Sequence, residues 1–292
     1  MIFKKTFFNV KNYFNKYFIL VNILNLYFWK SIAAPISTFI IFPLFSIMLL
    51  LTNMEYASLV MPSVISTPLI SMPLVILTTL IFDLKKNSIV ERIFVFSKKP
   101  IHSNAIVAIY CFLLIFLSFV WNAFLIFLIS LNRNIFKNNI FENVSWWSVL
   151  FVAFLATFMS VSISSIIYTF MKSALQGQLI GYLISAFSLV FSGFVVPIST
   201  LSSISVLNYV SYFSPFKYVN SSFVIAMNFG TNPNNLNGIT IFDLNRNFEI
   251  DIGGSSVVLF HSYDLSLNIF VPLILTVILF SVSLNKRMCR KR

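Results

Sequence analysis

Long apolar segments alternate with short polar ones along this chain of 292 residues. The apolar segments approach or exceed the length of about 20 residues that a helix needs to cross the hydrocarbon of a bilayer. None of them contains Asp, Glu, Lys or Arg. The pattern predicts an all-α polytopic membrane protein with six transmembrane helices, at about 31–52, 58–82, 105–131, 148–170, 179–196 and 267–284.

Residues 1–30 precede the first span and have two chemically different faces. Apolar residues recur at steps of three and four from Phe3 to Phe28, and polar residues recur at similar steps from Lys5 to Lys16. This spacing is typical of an amphipathic helix, and Lys beside Phe suits a membrane with anionic headgroups. We expect a cytoplasmic helix that lies in the membrane interface. An ordinary amphipathic helix packed on protein is the alternative.

The segment between spans five and six is unlike the rest of the chain. Residues 197–228 are apolar, but Pro197, Pro215 and clusters of Ser and Asn divide them into pieces too short to span. Irregular backbone at membrane depth is tolerated where protein surrounds it, so we expect short re-entrant half-helices. Residues 229–265 are rich in Asn, Gly and Asp and predict a solvated loop. The half-helices and loop at 197–265 form the predicted external part of a transmembrane domain that covers 31–284.

Proline and small polar residues are frequent inside the predicted spans. A proline removes the N–H that would bond to the carbonyl four residues earlier, and membrane helices tolerate this where neighbours satisfy the carbonyl. We therefore expect kinked first and second spans that pack on protein, with Pro35, Pro43, Pro62, Pro68 and Pro73. For the Ser and Thr residues of spans four and five we favour close helix packing over a substrate path.

Basic residues are distributed unequally between the two predicted sides. Sixteen of the twenty Lys and Arg residues fall in segments 1–30, 83–104, 171–178 and 285–292, and four fall on the other side. Because cytoplasmic segments carry the excess of Lys and Arg, both termini, the loop 83–104 and the basic tail 285–292 are expected in the cytoplasm of a multi-pass plasma-membrane protein. The net charge of +12 then reflects topology, and we expect no nucleic-acid partner.

No motif indicates chemistry performed by this chain. None of its seven glycines is followed by Lys, so the phosphate-binding loop G-x-x-x-x-G-K-[ST] is missing from the sequence. Cys111 and Cys289 lie far apart in the predicted topology, and neither His102 nor His261 has a second His or Cys nearby. We expect no catalytic residue, no metal site and no cofactor in this chain.

The membrane subunits of type-2 ATP-binding-cassette exporters resemble this layout. They too have a basic amphipathic helix before the first span, a basic loop between spans two and three, and a broken apolar stretch between spans five and six. In that stretch the family pattern is a Gly and then a Pro at the end of span five, followed about twenty residues later by Ser-Pro-x-x-Tyr. The matching residues of this sequence are Gly193, Pro197, Ser214, Pro215 and Tyr218.

The loop 83–104 is similar to the coupling segment of that family. The matching residues are Asn87-Ser88, Arg92-Ile93 and Pro100. The resemblance implies a pair of membrane subunits, either two copies of this chain or this chain and a related permease. It also implies a dimer of separate cassette ATPase subunits, which bind ATP and magnesium. It places the contact with the ATPase at Ser88, Glu91, Arg92 and Ile93.

Three functions remain open from the sequence. The first is an ATP-driven exporter subunit, embedded in membrane lipid, that carries an amphipathic peptide, a drug or a lipid, because the spans contain no charged pocket. The second is a membrane assembly or anchoring protein without transport activity. The third is an ion-coupled secondary carrier, which is less favoured because such carriers usually place ionisable residues within their spans.

Overall fold

The computed structural model describes the chain in separate ranges. These are residues 18–19, 21–52, 57–71, 100–131, 141, 144–171, 173–193, 204–227, 248–252, 255–260 and 262–285. The coupling residues Ser88, Glu91, Arg92 and Ile93 lie outside these ranges, as do Pro197, most of the loop 83–104, and the tail beyond 285.

Nine helices in the described part follow one another in chain order, with a strand pair before the last. Helix α1 covers 21–30. Helix α2 starts as Ala33–Ile36, continues through a π-helical turn at Ser37–Ile41 and ends as Phe42–Thr52. The others are α3 (Ala57–Ser71), α4 (Pro100–Ser130), α5 (Trp146–Phe170), α6 (Ala174–Phe191), α7 (Ser205–Ser211), α8 (Pro215–Met227) and α9 (Ser262–Asn285).

Three of these helices contain segments long and apolar enough to cross a membrane: Ala34–Thr52, Ile106–Ser130 and Trp146–Phe170. Shorter apolar helical segments are Val60–Ser71, Leu175–Phe191 and Leu267–Leu279. Many large apolar side chains on the helix exteriors are exposed, among them Leu117, Phe154 and Ile278. A mainly helical chain with this apolar exterior has the architecture of a membrane protein.

Helix α8 lies at the centre of the helix bundle. Its residues from Phe216 to Met227 are all buried, and it packs against α3, α5 and α9. Its first residue, Pro215, lines an apolar cavity together with Ile163 of α5. Near its last residue, the Ala226 carbonyl accepts a hydrogen bond of 2.8 Å from the Ser145 N–H, just before α5. Helix α8 therefore runs beside α5 from its interior to its N-terminal end.

Two carbonyls that prolines of α2 and α3 leave without a donor receive one from a neighbouring helix, as the sequence predicts. Pro43 has no N–H for the Phe39 carbonyl, and Trp121 Nε1 donates to that carbonyl at 3.0 Å. Pro68 has none for the Val64 carbonyl, and Asn122 Nδ2 donates to it at 2.9 Å. Both donors belong to α4.

The same arrangement recurs in α9. The Asn268 carbonyl, four residues before Pro272, accepts a hydrogen bond from Ser222 Oγ of α8 at 3.4 Å. Ser222 thus joins two helices at a carbonyl that a proline leaves without its usual donor. A separate contact joins α5 to α3, where the Leu69 carbonyl accepts a hydrogen bond from Ser160 Oγ.

The prediction of a loop at 229–265 is wrong over the second half of that segment, which contains two paired strands. Strands β1 (Phe248–Ile252) and β2 (Ser255–Phe260) pair antiparallel, with an irregularity between Phe248 and Glu249. The sequence signal is alternation of apolar and acidic residues up to Ile252, followed by Gly253-Gly254, which suits a two-residue hairpin turn. Helix α9 then begins at Ser262, earlier than the predicted start at 267.

The segment before the first span packs on protein where the structure describes it. Leu24 and Phe28, on the predicted apolar face, are 1% and 0% exposed and belong to the hydrophobic core. Asn25 accepts a hydrogen bond from Trp29 Nε1 at 3.1 Å. One side of the described part of this helix therefore packs on protein while Leu26 and Trp29 are exposed, which fits both interpretations. The interfacial position of residues 1–17 lies outside the described residues and remains a prediction.

Candidate functional site: a buried polar cluster

Five residues from distant parts of the chain form a buried polar cluster. They are Ser63 of α3, Ser192 and Gly193 just after α6, Ser214 just before α8, and Asn220 of α8. All five are buried in the surrounding apolar helices. We refer to this set as the polar cluster.

Ser63 and Asn220 connect the members of the polar cluster. Ser63 Oγ shares its proton between the Gly193 carbonyl at 3.0 Å and Asn220 Oδ1 at 3.1 Å. Asn220 Nδ2 donates to the Ser192 carbonyl at 2.8 Å. The hydroxyls of Ser192 and Ser214 lie 2.6 Å apart. These bonds join α3, the C-terminal end of α6, and α8 in an interior where an unpaired polar group would cost several kcal/mol.

Gly193 has a conformation that favours glycine. Its φ is 86°, in the left-handed region that side chains with a Cβ disfavour. The residue follows α6 in the position where helices commonly end on a left-handed glycine. This turn directs the Gly193 carbonyl toward Ser63, so the glycine both ends the helix and supplies an acceptor to the polar cluster.

The Ser-Pro-x-x-Tyr sequence forms the corner between α7 and α8. Pro215 is the first residue of α8, where its missing N–H has no helical partner to lose. The Ser214 carbonyl accepts a hydrogen bond from the Lys217 N–H at 3.1 Å. Tyr218 Oη donates to the Tyr212 carbonyl at 2.8 Å. The tyrosine thereby ties the first turn of α8 to the residue that follows α7.

Lys217 is buried beside this corner, at 8% exposure. Its Nζ donates to Asn208 Oδ1 at 3.3 Å and lies 3.3 Å from the centre of the Tyr212 ring. A lysine over an aromatic face is attracted by the negative charge of the ring's π-system. These two contacts stabilise a charge that the sequence assigned only to the outer side of the membrane.

The Ser and Thr residues of α5 mainly bond to their own helix. Ser162, Ser164 and Ser165 donate to the carbonyls four residues earlier at 2.8 to 2.9 Å. All three are buried, which agrees with the favoured interpretation of close helix packing. Ser160 is different, because its hydroxyl bonds to Leu69 of α3.

The predicted family-motif residues are brought together in part. Gly193, Ser214, Pro215 and Tyr218 lie at or beside the polar cluster, although the sequence separates the first from the last by 25 positions. Ser63 and Asn220 were missed by the sequence analysis. An Asn inside an apolar segment was the available signal for Asn220, since a buried amide needs partners.

The chemistry of the polar cluster is structural. Its members are three hydroxyls, an amide and a glycine carbonyl, and none of these is a strong general base or an activated nucleophile. Within the ranges that the structure describes, no group of three or more His, Cys, Asp or Glu residues is close enough to hold a metal ion. The arrangement holds three helical segments in one relative position.

Comparison of the chain with models of protein families, with curated proteins and with solved structures found no match.

Proposed function

We propose that this chain is the membrane-spanning subunit of an ATP-driven exporter. In this proposal it forms the substrate path as a dimer with a second copy or a related permease. Loop 83–104 couples it to a separate cassette ATPase dimer that binds ATP and magnesium. The chain spans the cell membrane six times, with both termini in the cytoplasm and with α7 and α8 as the external re-entrant half-helices.

The observation that carries the proposal is the convergence of Gly193, Ser214 and Tyr218 around the corner that opens α8. These residues match the family pattern in the sequence, and their contacts provide a physical reason for each residue type. Helix α8 has 13 residues, which at 1.5 Å per residue extend about 20 Å. This is too short for a bilayer core of about 30 Å, as a half-helix requires.

The polar cluster also offers a route from the coupling loop to the half-helices. Helix α3 immediately precedes, in the sequence, the segment that leads to loop 83–104. Ser63 of α3 bonds to Asn220 of α8 and to the Gly193 carbonyl. A displacement of α3 by the ATPase would therefore act directly on the end of α6 and on α8. The proposal requires this contact to switch between two arrangements, of which the bonded one supports the route.

Purification from the native membrane tests the proposal. We expect a cassette ATPase to co-purify with the tagged chain in mild detergent, and we expect the reconstituted complex to transport an amphipathic peptide, drug or lipid only with ATP and magnesium. A stable complex without a nucleotide-binding partner and without transport would indicate an assembly or anchoring protein. Transport driven by an ion gradient without ATP would indicate a secondary carrier.

A further inference from the structure

An apolar cavity of about 590 Å³ lies within a single copy of the chain, between α5, α6, α9 and the corner before α8. Its volume falls in the range of about 300–1,000 Å³ that small-molecule sites occupy. The walls include Ile163 and Ile167 of α5, Leu183 and Ser188 of α6, Phe213, and Leu279 of α9. The cavity is next to the polar cluster but shares none of its residues.

The surface of the cavity is hydrocarbon. Ser188 is the one polar residue in its walls, and that side chain is 0% exposed, with no hydrogen-bond partner for its Oγ in the described part of the chain. The hydroxyl therefore does not reach the cavity surface. A buried water needs two to four polar partners, so water is a poor occupant.

One side of the cavity is open and the other is deep. At the open side Leu183 and Phe213 are 70% and 83% exposed, whereas Ile167 at the deep side is 3% exposed. Ile163 lies seven residues before the end of α5, about 10 Å along the helix. Trp146–Phe170 is long and apolar enough to cross a membrane, and if α5 spans the bilayer, this depth places the opening beside hydrocarbon.

We propose that this cavity binds one hydrocarbon chain of a membrane amphiphile, which enters sideways from the bilayer past Leu183 and Phe213. Moving a hydrocarbon chain from lipid into an apolar cavity gains no hydrophobic free energy. The fit between the chain and the cavity walls therefore determines which ligand binds. The ligand class is a lipid acyl chain or an equivalent linear apolar tail. This inference goes beyond the proposed function and does not depend on an ATPase partner.

Photolabelling of the purified chain tests the site. The probe is a phosphatidylglycerol with a diazirine at the middle of one acyl chain, mixed into phosphatidylethanolamine vesicles that contain the reconstituted protein. We expect adducts on the buried residues Ile163 and Ile167, which lipid outside the cavity cannot reach, as well as on the exposed Leu183. Labelling restricted to exposed residues such as Leu128 of α4 would overturn the proposal.

A filling variant and two controls sharpen the test. Ile184→Trp places an indole in the cavity wall, and we expect it to remove most of the labelling of Ile163 and Ile167. Ile180→Trp is the matched control, one turn away on α6 and outside the walls, and it should leave the labelling unchanged. Ser188→Ala should also leave it unchanged. Equal labelling in wild type and Ile184→Trp would contradict the proposal, and the wild-type pattern serves as evidence if that variant does not fold.

A second copy of the chain is the competing occupant. Leu183→Cys in a Cys289→Ser background distinguishes the two, because a copy seated at the opening would bring two Leu183 positions within reach of a disulfide. We expect no copy-to-copy disulfide on mild oxidation in the vesicles. Such a disulfide, together with unlabelled Ile163 and Ile167, would assign this opening to a subunit interface.

Discussion

Ser63 connects three parts of the chain through one hydroxyl. Its donor is shared between the Gly193 carbonyl and Asn220 Oδ1, and all three groups are shielded from solvent. Because a buried acceptor that loses its donor has no water to replace it, the contribution of this hydroxyl exceeds that of a serine bonded only within its own helix. Ser66, three residues later on α3, is such a serine, since it donates only to Pro62 and Ser63 carbonyls.

Ser63→Ala should therefore destabilise the protein by about 1 to 2 kcal/mol. Ser66→Ala, equally buried on the same helix, should have an effect close to zero, because the helix supplies its own backbone donors. The measurement is the free energy of unfolding in mixed micelles, read from the loss of helical circular dichroism. Equal effects of the two substitutions would show that the polar cluster does not stabilise the fold.

Helix α4 acts on α2 and α3 through the carbonyls that their prolines leave without a donor. Asn122 is fully buried, and its Nδ2 bonds to Val64 at 2.9 Å and to Ile65 at 3.2 Å. Pro68 is the reason that Val64 needs an outside donor. Pro68 of α3 and the amide on α4 are thus two halves of one interaction.

A double-mutant cycle measures that interaction. Asn122→Leu should destabilise the wild type by about 1 to 3 kcal/mol, since it leaves a buried carbonyl unsatisfied. It should cost less in a Pro68→Ala background, where residue 68 regains an N–H for Val64, with a coupling of about 1 kcal/mol. The free energies of unfolding of the four proteins give the coupling.

Ser118→Ala is the control for this cycle. Ser118 is also fully buried on α4, one turn before Asn122, and its hydroxyl has no partner in the described part of the chain. Its removal should be neutral or slightly stabilising in both backgrounds. A coupling of zero between Asn122 and Pro68 would mean that the Asn122 amide does not compensate for the N–H that Pro68 lacks.

At the scale of the whole molecule, the distribution of charge predicts its orientation. Cys289 lies in the basic tail expected in the cytoplasm, and Cys111 is buried in α4 at 3% exposure. A membrane-impermeant maleimide should label Cys289 in inside-out vesicles and leave right-side-out vesicles unlabelled. Cys289→Ser should abolish the signal, because Cys111 is inaccessible.

Labelling from the opposite side of the membrane provides the complementary test of the orientation. Asn235→Cys in the Cys289→Ser background lies in the predicted external segment and should be labelled only in right-side-out vesicles. The six-span topology places one span between these two positions. Labelling of both positions from the same side would require an even number of spans there, and the six-span topology would be wrong.

Coupling to a separate ATPase is a second property of the whole molecule. Exchanging the charges of one pair, Glu91→Arg with Arg92→Glu, should abolish association with the ATPase or its stimulated hydrolysis, while membrane insertion stays normal. The matched control is Arg133→Glu with Glu142→Arg, an exchange of the same charges on the predicted external side, which should leave hydrolysis unchanged. Hydrolysis that is unchanged by the first exchange would remove loop 83–104 from the mechanism.

The length of the apolar segments predicted which parts of the chain are helical, because a chain in hydrocarbon must satisfy its backbone within helices. The predicted first, third, fourth and fifth spans overlap α2, α4, α5 and α6, with ends that differ by up to five residues. The prolines and the clusters of Ser and Asn indicated that 197–228 is divided, and α7 and α8 lie there as two short helices. The hairpin of β1 and β2 was readable from alternation and from Gly253-Gly254, but the polar composition of the segment concealed it.

Only the tertiary structure decided which polar side chains meet. Nothing local relates Ser63 to Gly193 or Asn122 to Val64, since those pairs are 130 and 58 residues apart and are joined by the packing of helices. A proline in a predicted helix indicates that the carbonyl four residues earlier needs another donor. Which residue donates depends on which helix packs beside that carbonyl. For the same reason the sequence does not indicate the apolar cavity between α5, α6 and α9. The residues that line it are as apolar as those on the other faces of the same helices.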